Sequence, residues 1–203
     1  MATAGTRDRI LDTTAEFFRH NGYNGTGLKQ IVAEANAPFG SIYHFFPGGK
    51  EQLGREVIRR SGLLYQELLT GIIDSAPDMV SGIGDCFAGA AVVLVETDYA
   101  DACPIETVAL EVASTNEPLR EATAAVFGSW IAAATERIAE AVPDQARARQ
   151  VAISVIALLE GAFVLSRSLR SVEPLEAAGA TAVAALREAI GPERAQRGRH
   201  GSA

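Results

Sequence analysis

The stretch from Gly22 to Lys50, GYNGTGLKQIVAEANAPFGSIYHFFPGGK, constrains this chain more than any other. Leu28, Ile31, Val32 and Ala35 recur at i, i+3, i+4 and i+7, which gives one apolar stripe on a short helix opened by Thr26 or Gly27. Asn36 and Ala37 break that helix, and Pro38 fits the first turn of a second, where its fixed φ helps and its missing N–H costs nothing. The second helix is expected to run through Phe39, Gly40, Ser41, Ile42, Tyr43, His44 and Phe45. Two short helices joined by so brief a turn cross steeply. The second then projects from its domain, narrow enough for a DNA major groove.

What the second helix exposes decides what it can bind. Ile42 and one of Phe45 or Phe46 can face inward, which leaves Phe39, Gly40, Ser41, Tyr43 and His44 at the outer end. Gly40 has no Cβ to hold the backbone away from a partner, Ser41 and Tyr43 offer hydroxyl donors, and Lys50 stands where a following helix begins. The competing account is that these aromatic residues plug a small core; it suits Phe45 and Phe46 better than Tyr43 and His44.

These residues resemble the TetR family of dimeric bacterial repressors. The family's most recognisable run is matched by Gly22, Tyr23, Thr26, then Gly40-Ser41-Ile42-Tyr43-His44-Phe45-Phe46, then Lys50, Glu51 and Leu53. The likeness is strongest over roughly the first sixty residues. Within the family it is most similar to the LmrA/YxaF type, through Thr26-Gly27-Leu28 with Gln30-Ile31, the turn Phe45-Phe46-Pro47-Gly48-Gly49-Lys50, and Cys103-Pro104-Ile105-Glu106. The resemblance implies a helix-turn-helix DNA-binding domain over residues 1–50 and a helical ligand-binding and dimerisation domain over 51–191, while Arg194, Arg197, Arg199 and several small residues after Pro192 read as a flexible tail over 192–203. It also implies double-stranded DNA as partner, contacted by Thr6, Arg7, Thr26, Gly27, Lys29, Pro38, Phe39, Gly40, Ser41, Tyr43, His44 and Lys50, although Arg7 also reads as a plain surface charge. One departure stands out: family members commonly carry Lys or Arg where this chain has Phe39. A base-contacting cation is therefore absent there, and Phe39 offers contact with thymine methyls instead.

The charge distribution fits a chain that touches phosphates with one end. Net charge is -7, but residues 1–60 hold eight Lys or Arg against six Asp or Glu, and the rest holds ten against nineteen, so a weakly basic head precedes an acidic body. The longest apolar run, Ala88 to Val95, is far shorter than a bilayer span, and the amino terminus lacks an apolar signal region. The expectation is a cytoplasmic protein with no membrane partner. Cys86 and Cys103 form neither a metal nor a redox spacing and read as buried small hydrophobes; Cys103, before Pro104, could also line a cavity.

The remainder reads as all-α. Thr6 is expected to cap a first helix with Ile10, Thr14, Phe17 and Phe18 on one face, ended by Asn21-Gly22. From Lys50 a rod-like helix runs to about Ser75, with Leu53, Val57, Leu64 and Leu68 on one side. Further helices are expected near 78–96, 104–114, 117–141, 144–170 and 174–190, bounded by Pro104, Asn116, Pro143, Asp144, Pro174 and Gly191-Pro192. The last two carry much apolar surface, Val151, Val155, Leu158, Leu159, Ala162, Phe163 and Leu165 on one and Ala178, Thr181, Ala182, Ala185, Leu186 and Ala189 on the other. A homodimer that packs them as a four-helix bundle would bury it and set two recognition helices on a palindromic operator.

Family resemblance places a cavity for a small hydrophobic effector in the middle of the body, with Leu68, Phe87, Glu106, Thr107, Phe127, Trp130, Ile131 and Phe163 as its candidate lining. An ordinary bundle core accounts for the same residues equally well. Catalysis is not expected: His20, His44 and His200 are the only histidines, so from Pro47 to Arg199 no imidazole stands near Cys103 or any serine. No phosphate-binding glycine loop, no clustered metal ligands and no cofactor are expected. The reading is a ligand-responsive repressor. Its alternatives are a DNA-binding regulator without an inducer and a ligand-sequestering protein whose head has lost DNA affinity.

Overall fold

The computed structural model describes residues 5–191, and among them it contains nine α-helices and no strand. They are α1 (Thr6–Asn21), α2 (Leu28–Glu34), α3 (Gly40–Phe45), α4 (Gly49–Ser75), α5 (Met79–Glu96), α6 (Pro104–Val112), α7 (Glu117–Ala141), α8 (Gln145–Leu169) and α9 (Glu173–Ile190). The tail expected over 192–203 lies outside the described residues.

Helix boundaries follow local chemistry. Asp78 accepts from Ser81 N–H at 2.8 Å, Asn116 Oδ1 from Leu119 N–H at 3.0 Å, and Asp144 Oδ1 from Ala146 and Arg147 N–H at 2.9 and 3.2 Å. Each supplies an acceptor to backbone donors that the first turn leaves without partners. Pro104 and Pro174 sit in first turns, as their sequence positions suggest. Two starts differ from expectation. Gly5, not Thr6, precedes α1, and Thr6 belongs to the helix. Pro38 lies ahead of α3, its carbonyl accepting from Ser41 N–H at 2.9 Å, so the helix begins at Gly40.

The chain divides into two compact units that are not continuous in sequence. One comprises the described residues up to Tyr65 with Asp101–Phe127; the other comprises Gln66–Ala100 with the described residues from Gly128 onward. α4 and α7 are single helices that contribute residues to both. In the first unit Ile10, Leu11 and Phe18 of α1, Ile31 and Val32 of α2, Ile42 and Phe46 around α3, and Leu53, Val57 and Ile58 of α4 are buried. In the second, Ile83, Phe87 and Leu94 of α5, Ile138 of α7, Val151, Val155 and Leu159 of α8 and Leu175, Ala182 and Leu186 of α9 form one cluster. α5 crowds α9 so closely that a Cβ on Gly179 would stand 2.9 Å from the Phe87 Cβ. α5 and α8 are long and apolar enough, by length and composition alone, to cross a membrane; here both contribute to that core.

Two apolar stripes differ from their sequence reading. Leu64 and Leu68 of α4 are exposed, because the helix buries Leu53, Gly54, Val57, Ile58, Ser61 and Gly62 instead. On α8 and α9, Val151, Val155, Leu159, Ala162, Ala178, Ala182 and Leu186 are consumed by the unit's own core.

Neither cysteine forms a disulfide, and both are buried. Burial pushes the Cys86 thiol up to about 11, with Asp85 adding to the shift, so it stays protonated at neutral pH. Because the folded form holds this proton more tightly than the unfolded thiol does, its contribution to stability is complete below pH 9 and is lost as pH rises toward 11. Thermal unfolding followed from pH 8 upward is expected to show a midpoint that falls through this window in the natural chain and falls less in Cys86→Ala. An identical decline in both would remove Cys86 from the account.

Candidate nucleic-acid interface and cavity

α3 owes its outward orientation to two anchors. Ile42 and Phe46 are fully buried, and since side chains on a helix recur every three to four residues, the intervening positions must face outward. Phe39 and Tyr43 are 45% and 54% exposed and meet edge to face with ring centroids 6.1 Å apart. Pro38, Gly40 and His44 are exposed too, and Ser41 is half-buried. Phe45, half-buried, packs between His44 and Phe46. A Cβ on Gly40 would meet nothing within 4 Å, so no internal contact demands glycine there.

The turn that aims α3 is held by a residue the sequence reading passed over. Arg9 donates through Nε to Ala35 O at 3.1 Å and through Nη2 to Asn36 O at 3.4 Å, meeting carbonyls at the end of α2, and Thr6 Oγ1 accepts from the same Nη2 at 3.3 Å. Asn36 takes the left-handed conformation, φ 47°, which a short amide side chain tolerates. In sequence Arg9 is one more charge on a polar helix face; only the crossing of α1 and α2 shows its task. Arg9→Ala is expected to lower stability by about 1 kcal/mol, because the part-buried Ala35 carbonyl loses a charged donor, while the contact to Asn36 O is exposed. Chemical denaturation checks this, and a change under about 0.3 kcal/mol would reduce the clamp to a surface contact.

The remaining expected DNA contacts divide. Lys29 is exposed. Gly27 precedes α2 in extended conformation, with its N–H donating to Gln30 Oε1 at 3.0 Å. Thr26, by contrast, is 1% exposed and its hydroxyl donates to Gly22 O at 2.7 Å, so its side chain fastens the α1–α2 turn and is withdrawn from the surface. Arg7 is paired with Glu56 of α4 and lies 5.5 Å over the Phe46 ring. Lys50 stacks its ammonium 4.4 Å over the Tyr23 ring, and burial draws its pKa down against the opposing pull of Glu111. Glu111 of α6 also accepts from Asn24 N–H at 2.7 Å, beside Gly22, whose φ of 70° and close approach to that carboxylate leave no room for a side chain. Arg19 pairs with Asp101 at 3.0 Å. Burial and the Asp101 charge together push Tyr65 up to about 12, so it remains a neutral phenol.

The second unit contains a cavity of about 60 Å³ lined by Gln66, Leu69, Thr70 and Ile73 of α4, Ile83 and Cys86 of α5, Trp130, Ala133 and Ala134 of α7, and Val155, Ile156, Leu159 and Glu160 of α8. Of the expected ligand residues, Trp130 lines it. Phe87 belongs to the core cluster and Phe163 packs against that cluster. Ile131 is half-buried elsewhere on α7, and Leu68 is 57% exposed. Glu106, Thr107 and Phe127 are half-buried in the other unit, where Thr107 Oγ1 donates to Cys103 O at 2.9 Å. The α4 wall, Gln66, Leu69, Thr70 and Ile73, has helical spacing that the sequence contains. Which face of α4 turns inward is set by three partner helices and is not written in α4 itself.

Comparison with known proteins addresses both regions. Residues 10–57 match the bacterial regulatory proteins of the tetR family, and residues 80–181 match the C-terminal domain of LmrA/YxaF-like transcriptional regulators. Among relatives, the HTH-type transcriptional regulator YxaF of Bacillus subtilis is 34% identical over 84% of this chain and 89% of its own. LmrA of the same organism, also an HTH-type transcriptional regulator, is 30% identical over 86% and 93%. A TetR transcriptional regulator from Legionella pneumophila superposes with a TM-score of 0.82 at 21% identity, covering 92% of this chain and all (100%) of that one, which establishes a shared fold. With its helix-turn-helix residues and its C-terminal residues both matched, the chain belongs to the TetR family of transcriptional regulators and carries an LmrA/YxaF-like C-terminal domain.

Proposed function

We propose that this regulator is a repressor that binds a palindromic operator as a homodimer, through α3 of each copy, and leaves it when a small hydrophobic effector enters the cavity beside Trp130. The observation that carries the DNA-binding part is the division of α3 into a buried side, Ile42 with Phe46, and an exposed side formed by Phe39, Gly40, Tyr43 and His44. Gly40 adds a sharper argument. Glycine is a poor helix former, by up to about 1 kcal/mol against alanine, and nothing inside the protein needs the space it leaves. Space outside the protein accounts for it, as where a backbone meets a phosphate strand. Lys29, exposed in the first turn of α2, offers a cation for phosphate contact, and Phe39 supplies an apolar edge for thymine methyls.

The cavity supports effector release through its size. At about 60 Å³ it is smaller than the several hundred Å³ a drug-sized ligand occupies, so binding must push its walls apart. One wall is the distal part of α4, whose proximal part carries Leu53, Val57 and Ile58 into the core beneath α3. An effector that fits only the widened cavity binds one conformation in preference to the other, which is the condition for shifting the DNA-binding equilibrium. The protein acts in the cytoplasm, where its operator is.

The test is binding to palindromes from DNA flanking its own gene, at about 50 and about 200 mM salt, with and without hydrophobic compounds. Salt-sensitive binding that one compound abolishes supports the reading; no binding to any palindrome leaves a ligand-sequestering role. Two substitutions refine it. Tyr43→Phe is expected to weaken operator binding about tenfold by removing one phosphate hydrogen bond, with the affinity for effector unchanged. Gly40→Ala is expected to leave the thermal midpoint unchanged or higher while operator affinity falls. Undiminished operator binding by Gly40→Ala would show that nothing approaches α3 closely there.

A further inference from the structure

The lining of the cavity specifies more than apolarity. Its thirteen residues include one charged side chain, Glu160 of α8, and no Lys, Arg or His. The hydroxyl and thiol in the wall are engaged as donors to backbone carbonyls: Thr70 Oγ1 reaches Gln66 O at 2.8 Å, and Cys86 Sγ reaches Leu69 O at 3.8 Å. Gln66 Oε1 is buried and accepts no hydrogen bond among the described residues. Trp130, the single tryptophan of the chain, lines the same space.

A buried amide oxygen without a donor is a penalty that a bound group can relieve. An ionised carboxylate at an apolar wall favours positive charge and opposes a second negative one, and an incoming cation keeps it ionised where burial alone would draw a proton onto it. An indole face attracts a cation through its quadrupole. All three features act in the same direction, and no cation of the protein lines the cavity to satisfy an anionic ligand.

We propose that the effector is a lipophilic ammonium: an apolar body that fills the space between α4, α5, α7 and α8, with a protonated nitrogen directed at Glu160 and Gln66 and stacked against Trp130. This rests on the effector reading above and narrows it, excluding lipophilic carboxylates and phenolates as strong ligands.

Three probes of matched shape separate charge from size: 4-phenylbutylammonium, 4-phenylbutanol and 4-phenylbutanoate, titrated at pH 7 into the full chain with Trp130 fluorescence as the readout. The ammonium is expected to bind at least about tenfold more tightly than the alcohol, and the carboxylate more weakly than both. In Glu160→Gln the preference of ammonium over alcohol should disappear while the alcohol binds as before. Gln66→Leu should lower the affinity for ammonium and for alcohol alike, since each brings a donor to the buried amide oxygen, and leave the Glu160-dependent preference between them. Equal binding of ammonium and alcohol by the unaltered chain overturns the proposal, as does preferred binding of the carboxylate or no response of Trp130 to any probe. The comparison on the unaltered chain decides even if a variant fails to fold. Tight ammonium binding without operator release would uphold the cavity's chemistry and refute its regulatory role; operator binding without any probe response would overturn the ammonium proposal and leave the DNA-binding reading intact.

Discussion

Phe46→Ala is expected to unfold the DNA-binding head while the second unit keeps its core. Phe46 is fully buried directly after α3, its ring neighbours Phe45, and the Arg7 guanidinium lies above it. Truncating a buried phenylalanine costs about 3–5 kcal/mol, from lost transfer energy and the cavity left behind. Here the loss falls on a helix of six residues that has no stability of its own: α3 lacks a side-chain cap, and one and a half turns do not persist in water. Ile42 is then the sole fully buried anchor within α3. The Arg7–Glu56 pair would lose its aromatic support as well. The measurement is hydrogen exchange, resolved by segment. Protection should collapse over α2 and α3 and persist over Val151, Val155 and Leu159 of α8, with operator binding undetectable. Uniform loss of protection through α8 would mean that the head and the second unit unfold as one; unchanged protection over α3 would mean that Phe46 does not anchor it.

The elements this prediction uses differ in how far the sequence disclosed them. Helix positions were legible because the chain marks them with groups that satisfy backbone donors and acceptors: Asp78, Asn116 and Asp144 cap as their chemistry suggests, and Pro104 and Pro174 stand in first turns. The outward face of α3 was legible for a similar reason, since six residues with two aliphatic or aromatic anchors leave few orientations. Faces of the long helices were not. α4 carries Leu64 and Leu68 as well as Val57 and Ile58, and a period of 3.6 defines a stripe without saying which of two stripes meets a partner. The lining of the cavity was hard to read for the same reason, because four helices each contribute two to four residues to it, and of the expected residues Trp130 is the one that lines it. Thr26 misled because a threonine at a helix start reads as a cap or a surface donor; its hydroxyl instead turns back to Gly22 O. Arg9 and Glu111 were missed because each acts on a turn that is distant in sequence.

The double variant Val164→Asp/Leu165→Asp is expected to give a monomer that folds normally and binds its operator about 10²–10⁴-fold more weakly. The argument begins with the residues the second unit does not consume. With Val151, Val155 and Leu159 turned into the core, Ile153, Ala157, Gly161, Val164 and Leu165 form a separate exposed face of α8; Val164 and Leu165 are 41% and 55% accessible. Ala177, Ala180, Thr181 and Ala184 form the middle of the exposed face of α9, with Glu173 and Glu176 exposed toward one end and Arg187 and Glu188 toward the other, and α8 and α9 pack on each other. Larger side chains project from α8 while the middle of α9 offers small ones, a combination in which the helices of a second copy can approach closely and interdigitate. At Gly161 a Cβ would meet nothing within 4 Å inside the protein, so no internal contact demands glycine there and the face stays open. Two carboxylates placed in such an interface would be buried without partners in each copy, whereas on an isolated chain they would be solvated and nearly neutral for stability. Operator affinity falls because two linked half-site contacts become single ones, which removes the gain of effective concentration. Sedimentation velocity reads the mass and anisotropy on a palindrome reads the affinity. A variant that stays dimeric places the interface elsewhere; a monomer that binds the full operator as tightly as the natural protein would show that pairing adds nothing to recognition.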